Sequence, residues 1–271
     1  MRLTGLQWEN DTLPKSRSGG TVRVALRPRW WGGETGEKVA LLYQGIKVTV
    51  GPVLNVLYRP AVDGLEHVPT AGPAILAGNH VSFSDHFFVP LVVDRKVIYL
   101  AKADYFNGKG LAGRLTAGFF NAVGQKPVDR SSGRAGLAAI QTAVDVLAEG
   151  SLLGIYPEGT RSPDGRLYRG RVGVARLWLE SKAPLVPCAV IGTDVVQPPG
   201  QKIPRVSPVA VRFGPPMDLD RYAGRKRDAL LFREVTDDIM KEIQKLSGQE
   251  YVNEYASDVK EKLAAGGAPQ V

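Results

Sequence analysis

The chain predicts a single α/β domain, a largely parallel mixed sheet flanked by helices and preceded by an N-terminal helical pair. Three observations carry this. Apolar runs of strand length, at residues 73–80, 96–102, 151–156, 185–191 and 206–213, alternate with segments whose apolar residues recur every three or four positions. No Pro/Ser-rich linker separates them, and no internal repeat is visible. The 271 residues, 44% hydrophobic and 23% charged, suffice for one full core.

The elements follow in order. Residues 1–33 form a polar, Gly-rich, basic leader with Lys15, Arg17, Arg23, Arg27 and Arg29, ending in Trp30-Trp31. That composition suits either a loosely ordered leader or an interfacial anchor, since Arg and Trp favour the headgroup region. In residues 34–59, Val39, Leu42, Tyr43, Ile46, Val50, Val53, Leu54 and Leu57 keep helical spacing, and Gly51-Pro52 divides them into two short helices. Leu41, Val48 and Val56 lie off this stripe, which is more apolar surface than one core-facing side needs. Lys38, Lys47 and Arg59 are the only charges from Lys38 to Arg59. The pair is therefore expected to bind a membrane, the alternative being a hairpin packed on the core. The α/β domain then occupies residues 60–271.

Within that domain, residues 73–80 read as a buried strand running into a turn, and 84–93 as a helix with Ser82 or Ser84 as N-cap and Asp85 in its first turn. Residues 96–102 form the next strand. Residues 113–123 read as a short apolar helix and 124–130 as a strand or loop. Leu137, Ile140, Val144 and Leu147 mark an amphipathic helix over 134–148 that stops at Gly150. A central strand at 151–156 delivers Pro157-Glu158-Gly159-Thr160-Arg161-Ser162. After a basic loop come a helix at 172–182, strands at 185–191 and 206–213, a long helix at 226–246 and a polar tail with a short helix at 251–264.

With 35 Lys plus Arg against 27 Asp plus Glu, the net charge is +8, which favours anionic partners without choosing among nucleic acid, anionic lipid and phosphorylated substrates. The one cysteine, Cys188, lies in an apolar run and reads as a core residue. No signal-peptide pattern and no run of eighteen apolar residues is present.

Two stretches carry chemistry. His80 and Asp85, five positions apart, would point about 140° away from each other on a regular helix. They can meet only if His80 lies in the turn before the helix and Asp85 in its first turn. An imidazole so placed can take a proton from a hydroxyl, with the carboxylate fixing its tautomer. His86 reads as a packing or hydrogen-bonding residue and His67 as solvent-facing, and three scattered histidines offer no strong metal site. Glu158-Gly159-Thr160-Arg161 follows a strand end, where α/β sheets bind ligands. Lys102, Arg130 and Arg161 each end a predicted strand, so these cations can converge on one phosphate. Neither a Walker nor a dinucleotide-binding glycine loop is present.

Asn79-His80-x4-Asp85, Lys126-Pro127-Val128-Asp129-Arg130, Tyr156-Pro157-Glu158-Gly159-Thr160-Arg161-Ser162 and Leu185-Val186-Pro187-Cys188, in this order, resemble the four motifs of the PlsC-like glycerolipid acyltransferases. The nearest members of that family are the 1-acyl-glycerol-3-phosphate acyltransferases, and the resemblance covers roughly residues 60–215. Lys126-Pro127 stand where the family often has an aromatic or aliphatic residue.

The resemblance implies transfer of an acyl chain from a thioester, acyl-CoA or acyl-carrier protein, to the 2-hydroxyl of 1-acyl-glycerol-3-phosphate, giving phosphatidate. His80 would be the general base and Asp85 its orienting partner. Lys102, Arg130 and Arg161 would hold the acceptor phosphate, and Glu158 and Gly159 would shape the glycerol site. No cofactor or metal is expected, because the thioester is already activated. The expected partners are the lysophospholipid, the acyl donor and the cytoplasmic face of the cell membrane, bound peripherally, without nucleic acid. The alternatives are an acyltransferase for another acceptor, such as glycerol-3-phosphate, another lysophospholipid or a glycolipid, and a non-enzymatic basic lipid-binding module.

Overall fold

A computed structural model describes residue 45 and residues 47–49, 51–102, 125–128, 133–201 and 203–266. The strands are β1 (Ala61–Asp63), β2 (Ala74–Gly78), β3 (Val97–Lys102), β4 (Gln125–Val128), β5 (Leu152–Ile155), β6 (Leu167–Tyr168), β7 (Leu185–Ile191), β8 (Ala210–Phe213) and β9 (Tyr251–Val252). The helices are α1 (51–58), α2 (Asp85–Val92), α3 (Gly133–Ala148), α4 (Gly173–Ser181), α5 (Thr193–Val196), α6 (Ala229–Ser247) and α7 (Ala256–Ala264). The leader, residues 34–44 of the expected helical pair, the helix expected over 113–123, and Asp129 and Arg130 lie outside the described residues.

Seven strands form one mixed sheet in the order β1-β8-β7-β2-β5-β3-β4. β7, β2, β5, β3 and β4 run parallel, while β8 is antiparallel to β7 and parallel to β1. The expected largely parallel mixed sheet is therefore present. Both faces are covered, which is why the inner strands are near-continuous apolar runs. Alternate residues feed opposite cores: Ile75, Ala77, Ile98, Leu153 and Leu185 pack with α3, α4 and α6. Ala74, Leu76, Val97, Tyr99, Leu152 and Val186 pack with Phe88 and Val89 of α2 on the other side. This period of two along each strand is what makes the register unique.

Three details differ from the sequence reading. The strand expected over 206–213 begins only at Ala210. The basic loop after Arg161 contains β6, which pairs in parallel with β9 in a separate two-stranded sheet, Leu167 facing Tyr251 and Tyr168 facing Val252. Two-residue strands have no periodicity to read, and basic neighbours mask the burial of Leu167 and Tyr168. His67 is half-buried rather than solvent-facing: its Nδ1 donates to the Phe213 carbonyl at 3.0 Å.

α1 docks on α2 through a narrow seam. The Tyr58 ring meets the Phe88 ring edge to face at 5.2 Å, and the Lys47 ammonium donates to the Val93 carbonyl at the end of α2, 2.6 Å away. Val48, Val53, Val56 and Leu57 remain exposed. Lys47, one of the three basic residues of this region, is thus turned inward, and burial lowers its pKa. Among the described residues no helix is long and apolar enough to cross a membrane.

Candidate active site

The turn between β2 and α2 places His80 and Asp85 together. β2 ends at Gly78, where a Cβ would meet the Cys188 sulfur at 2.9 Å, so the strand lies tight against β7. Asn79 then continues the pairing with its side chain. Its Oδ1 accepts from the Val190 N–H at 2.8 Å, and its Nδ2 donates to the Val190 carbonyl at 3.0 Å and to Gln249 Oε1 at 2.8 Å. His80 is thereby held where the sheet ends and the turn begins.

Asp85 opens α2 and is fully buried. Its Oδ2 accepts from the backbone N–H of Val81 and of Ser82, each at 2.9 Å, and from His80 Nδ1 at 2.9 Å. Its Oδ1 accepts from the Thr193 hydroxyl of α5. The carboxylate therefore folds the turn around itself, and the positive end of α2 favours its charge. Ser84 occupies the N-cap position, yet its hydroxyl makes no cap bond and donates instead to Gln197 Oε1. Ser82 donates to the Gln197 carbonyl.

With Nδ1 donating to an ionised Asp85, the His80 proton sits on Nδ1 and the Nε2 lone pair is free to act as a base. The His80 side chain is 12% exposed. Burial lowers its pKa, Asp85 pulls it back up, and the charges of Arg161 and Lys260 lower it again. The ring is neutral at physiological pH. It stacks on Tyr156 at 4.0 Å, and Tyr156 stacks on Tyr99 at 5.3 Å. Gly154 lets Tyr99 cross the sheet, for a Cβ there would meet the Tyr99 ring at 2.2 Å. His86 stands edge-on to His80, Tyr99 and Tyr156. It is a wall of the stack, in keeping with its reading as a packing residue.

The loop after β5 grips the His80 backbone from both sides. The His80 N–H donates to Glu158 Oε1 at 2.9 Å, and the Ser162 N–H donates to the His80 carbonyl at 2.7 Å. The second oxygen of Glu158 accepts from the Tyr168 N–H at 2.9 Å. Glu158 is buried, with both carboxyl oxygens committed to backbone donors, so it braces the loop. Burial pushes its carboxyl up to about 8, against the pull of those two N–H groups. Gly159 has φ +76°, and a Cβ there would meet the Arg171 side chain at 2.9 Å. Its glycine is required by the turn and by Arg171.

Replacing Glu158 with glutamine should destabilise the fold by about 1–3 kcal/mol, because one backbone N–H then faces an amide NH2. The pH dependence should change too. A carboxyl raised from 4.5 to about 8 contributes stability that is complete below pH 4.5 and is lost as pH rises to about 8. Urea unfolding of Glu158→Gln across that window should show the lost slope.

Arg161 lies exposed beside His80, and no carboxylate among the described residues pairs with it. β3 ends at Lys102, whose side chain, like Arg130, lies outside the described residues. Of the three cations expected to converge, Arg161 alone can be located. Three contributors were absent from the sequence reading: Thr193, Tyr156 as the stacking partner of His80, and Lys260 of α7, which donates to the Thr160 hydroxyl at 3.0 Å. Nothing in the sequence neighbourhoods of Thr193 and Lys260 announces them, and Tyr156, though it heads the third motif, shows no sign there of stacking on His80. Cys188 is buried, and burial followed by Asp85 pushes its thiol up to about 12, so it is inert packing.

Residues 59–191 match the family model described as Acyltransferase. A "1-acyl-sn-glycerol-3-phosphate acyltransferase" of Limnanthes alba is 33% identical over 168 residues, 62% of this chain and 57% of the plant protein. A protein of the same name from Bacillus subtilis is 31% identical over 142 residues, 52% of this chain and 66% of its own length. The chain thus spans little more than half the length of the Limnanthes relative. The crystal structure of "the 1-acyl-sn-glycerophosphate (LPA) acyltransferase, PlsC, from Thermotoga maritima" shares the fold, with TM-score 0.56, 18% identity, and coverage of 80% of this chain and 84% of that one. Over residues 59–191, just under half of its length, the chain is thus similar to the acyltransferase family, and it shares the fold of PlsC.

Proposed function

We propose that this protein acylates the 2-hydroxyl of a 1-acyl-glycerol-3-phosphate with the acyl group of a thioester, giving phosphatidate. The observation that carries the reading is the hydrogen bond from His80 Nδ1 to the buried Asp85, which leaves Nε2 free beside Arg161, a cation with no carboxylate partner among the described residues. A lipid-binding module without chemistry has no use for such a pair. The names of the Limnanthes and Bacillus relatives point to the same acceptor.

In this mechanism Nε2 takes the proton of the acceptor hydroxyl as its oxygen attacks the thioester carbonyl. The tetrahedral intermediate collapses, the carbon–sulfur bond breaks, and the thiolate leaves with the proton from Nε2. Asp85 stabilises the imidazolium formed in between. The ester product and the free thiol account for every atom, with either acyl-CoA or acyl-carrier protein as the donor. Arg161, with Lys102 and Arg130, binds the acceptor phosphate as a guanidinium fork suits it. The exposed Val48, just before α1, and Val53, Val56 and Leu57 on it lay this segment against the membrane that supplies the lipid, at its cytoplasmic face.

One preparation tests both parts. Mass spectrometry of products from a panel of lyso-acceptors and acyl-CoAs should show phosphatidate as the main product, and Arg161→Ala should raise the acceptor KM. The double variant Val53→Asp/Val56→Asp should lose sedimentation with liposomes while keeping transfer to detergent-dispersed acceptor. Acylation of an acceptor without phosphate in preference, or unchanged liposome binding, would contradict the respective part.

A further inference from the structure

Lys260 lies near the end of the chain, beyond the matched acyltransferase domain, yet it is built into the loop that carries Arg161. The segment that brings it there is fixed by several independent ties. β9 pairs with β6, the Leu167 N–H donates to the Glu250 carbonyl at 2.9 Å, and the Arg169 N–H donates to the Glu254 carbonyl at 2.9 Å. Ala256 and Val259 of α7 pack against the buried Tyr168. The Arg171 guanidinium lies over the Tyr255 ring and donates to the Ser257 hydroxyl at 2.8 Å. Tyr168 is in turn bound through its N–H to Glu158, the residue that grips His80. α7 is thus coupled rigidly to the base.

Lys260 is half-buried, and its one hydrogen bond among the described residues is to a neutral hydroxyl, Thr160. Its neighbour on the same helix behaves otherwise: Lys262 pairs with Glu254 at 2.6 Å. Lys260 instead stands among cations. Burial first, then the charge of Arg161, lowers its pKa, with Glu158 opposing. Among the described residues no carboxylate ion-pairs with either cation, and two such positive groups next to a base cost folding stability. They become favourable when an anion with several acceptor oxygens bridges them.

We propose that Lys260 is a substrate-binding residue that, with Arg161, holds a phosphate ester beside His80, so that the last helix completes the active site. The inference rests on the function proposed above for its substrate, and it adds the residue and the element. The phosphate belongs either to the acceptor or to the donor, both of which present this group.

Full-length Lys260→Ala and Lys260→Arg test it, with the exposed Lys262→Ala as control. First, thermal shift with each ligand alone, so that no transfer occurs, measures binding of 1-acyl-glycerol-3-phosphate, of acyl-CoA, and of 1-acyl-glycerol, which lacks phosphate. Second, steady-state kinetics gives a KM for each substrate. Lys260→Ala is expected to weaken one phosphate-bearing substrate about tenfold or more, with a far smaller effect on kcat, a ligand-free melting temperature unchanged or raised, and substantial rescue by arginine. An effect on the acceptor KM assigns the phosphate to the acceptor, and one on the donor KM to the donor. Unchanged binding and unchanged KM for both substrates would overturn the proposal. So would a loss that tracks a lowered melting temperature and is not rescued by arginine. If the unsubstituted protein transfers no acyl group, the proposed function fails by itself. The binding arm then still decides the role of Lys260, by whether Lys260→Ala loses affinity for phosphate-bearing ligands only.

Discussion

His80→Ala should lower kcat by about 10²- to 10⁴-fold while leaving the fold intact, since the reaction loses its only placed proton acceptor. The side chain is nearly enclosed, but among the described residues its ring makes one hydrogen bond, to Asp85, stacks on Tyr156 and meets His86 edge-on. Substrate KM values should change little, because removing a base weakens the transition state rather than the ground state. The unsubstituted protein should show the signature of that base in its pH profile. The His80 pKa is lowered below 6.5, so kcat/KM should stay flat from neutral pH down past 6.5 and fall only below it. Stability runs in the same direction. A histidine held neutral by burial destabilises the fold once it must take a proton, so its contribution is complete above pH 6.5 and fades as pH drops toward the lowered value. Near-normal turnover of purified His80→Ala would refute the mechanism.

Asp85→Asn should cost about 10²-fold or more in kcat with a far smaller effect on folding. The geometry makes this substitution informative. The amide oxygen can take the place of Oδ2, accepting from Val81, Ser82 and His80, while the amide NH2 turns to Thr193, whose hydroxyl can accept as readily as donate. The hydrogen bonds survive and the charge does not. Because Asp85 raises the His80 pKa, its loss makes the ring a weaker base, and the acid limb of the profile should move to lower pH. Asp85→Ala is the contrast: it strands two backbone N–H groups, the His80 Nδ1–H and the Thr193 hydroxyl, at about 1–3 kcal/mol each. Equal melting temperatures for Asp85→Asn and Asp85→Ala would show that these bonds do not organise the turn.

Much of this was legible in the residues. The parallel strands are apolar runs because both their faces are buried, and α3 and α6 are amphipathic because each covers one face of the sheet. The His80–Asp85 pair was legible because only a strand-to-helix turn lets residues five apart meet, and the sequence placed that turn correctly. What escaped has a common cause. Thr193, Tyr156 and Lys260 gain their roles from partners 108, 76 and 100 residues away, and local pattern carries no information about such meetings. Glu158 escaped differently. A glutamate in a motif after a strand end suggests a ligand, whereas its two oxygens face backbone donors that only the fold could supply. β6 and β9 escaped because two residues cannot display a period.

The tie between Asn79 and Gln249 has a temporal consequence. β2 is the middle strand of the sheet, yet its two partners, β5 and β7, follow it at Leu152 and Leu185, and Asn79 waits for Gln249. As the chain leaves the ribosome, the turn holding His80 and Asp85 emerges early, with its strand unpaired on both edges. Thr193 arrives late, and Gln249 and Lys260 later still. A truncated or stalled product therefore carries the reactive histidine without the groups that aim it. Acquisition of the proposed activity should therefore be among the last events of biosynthesis.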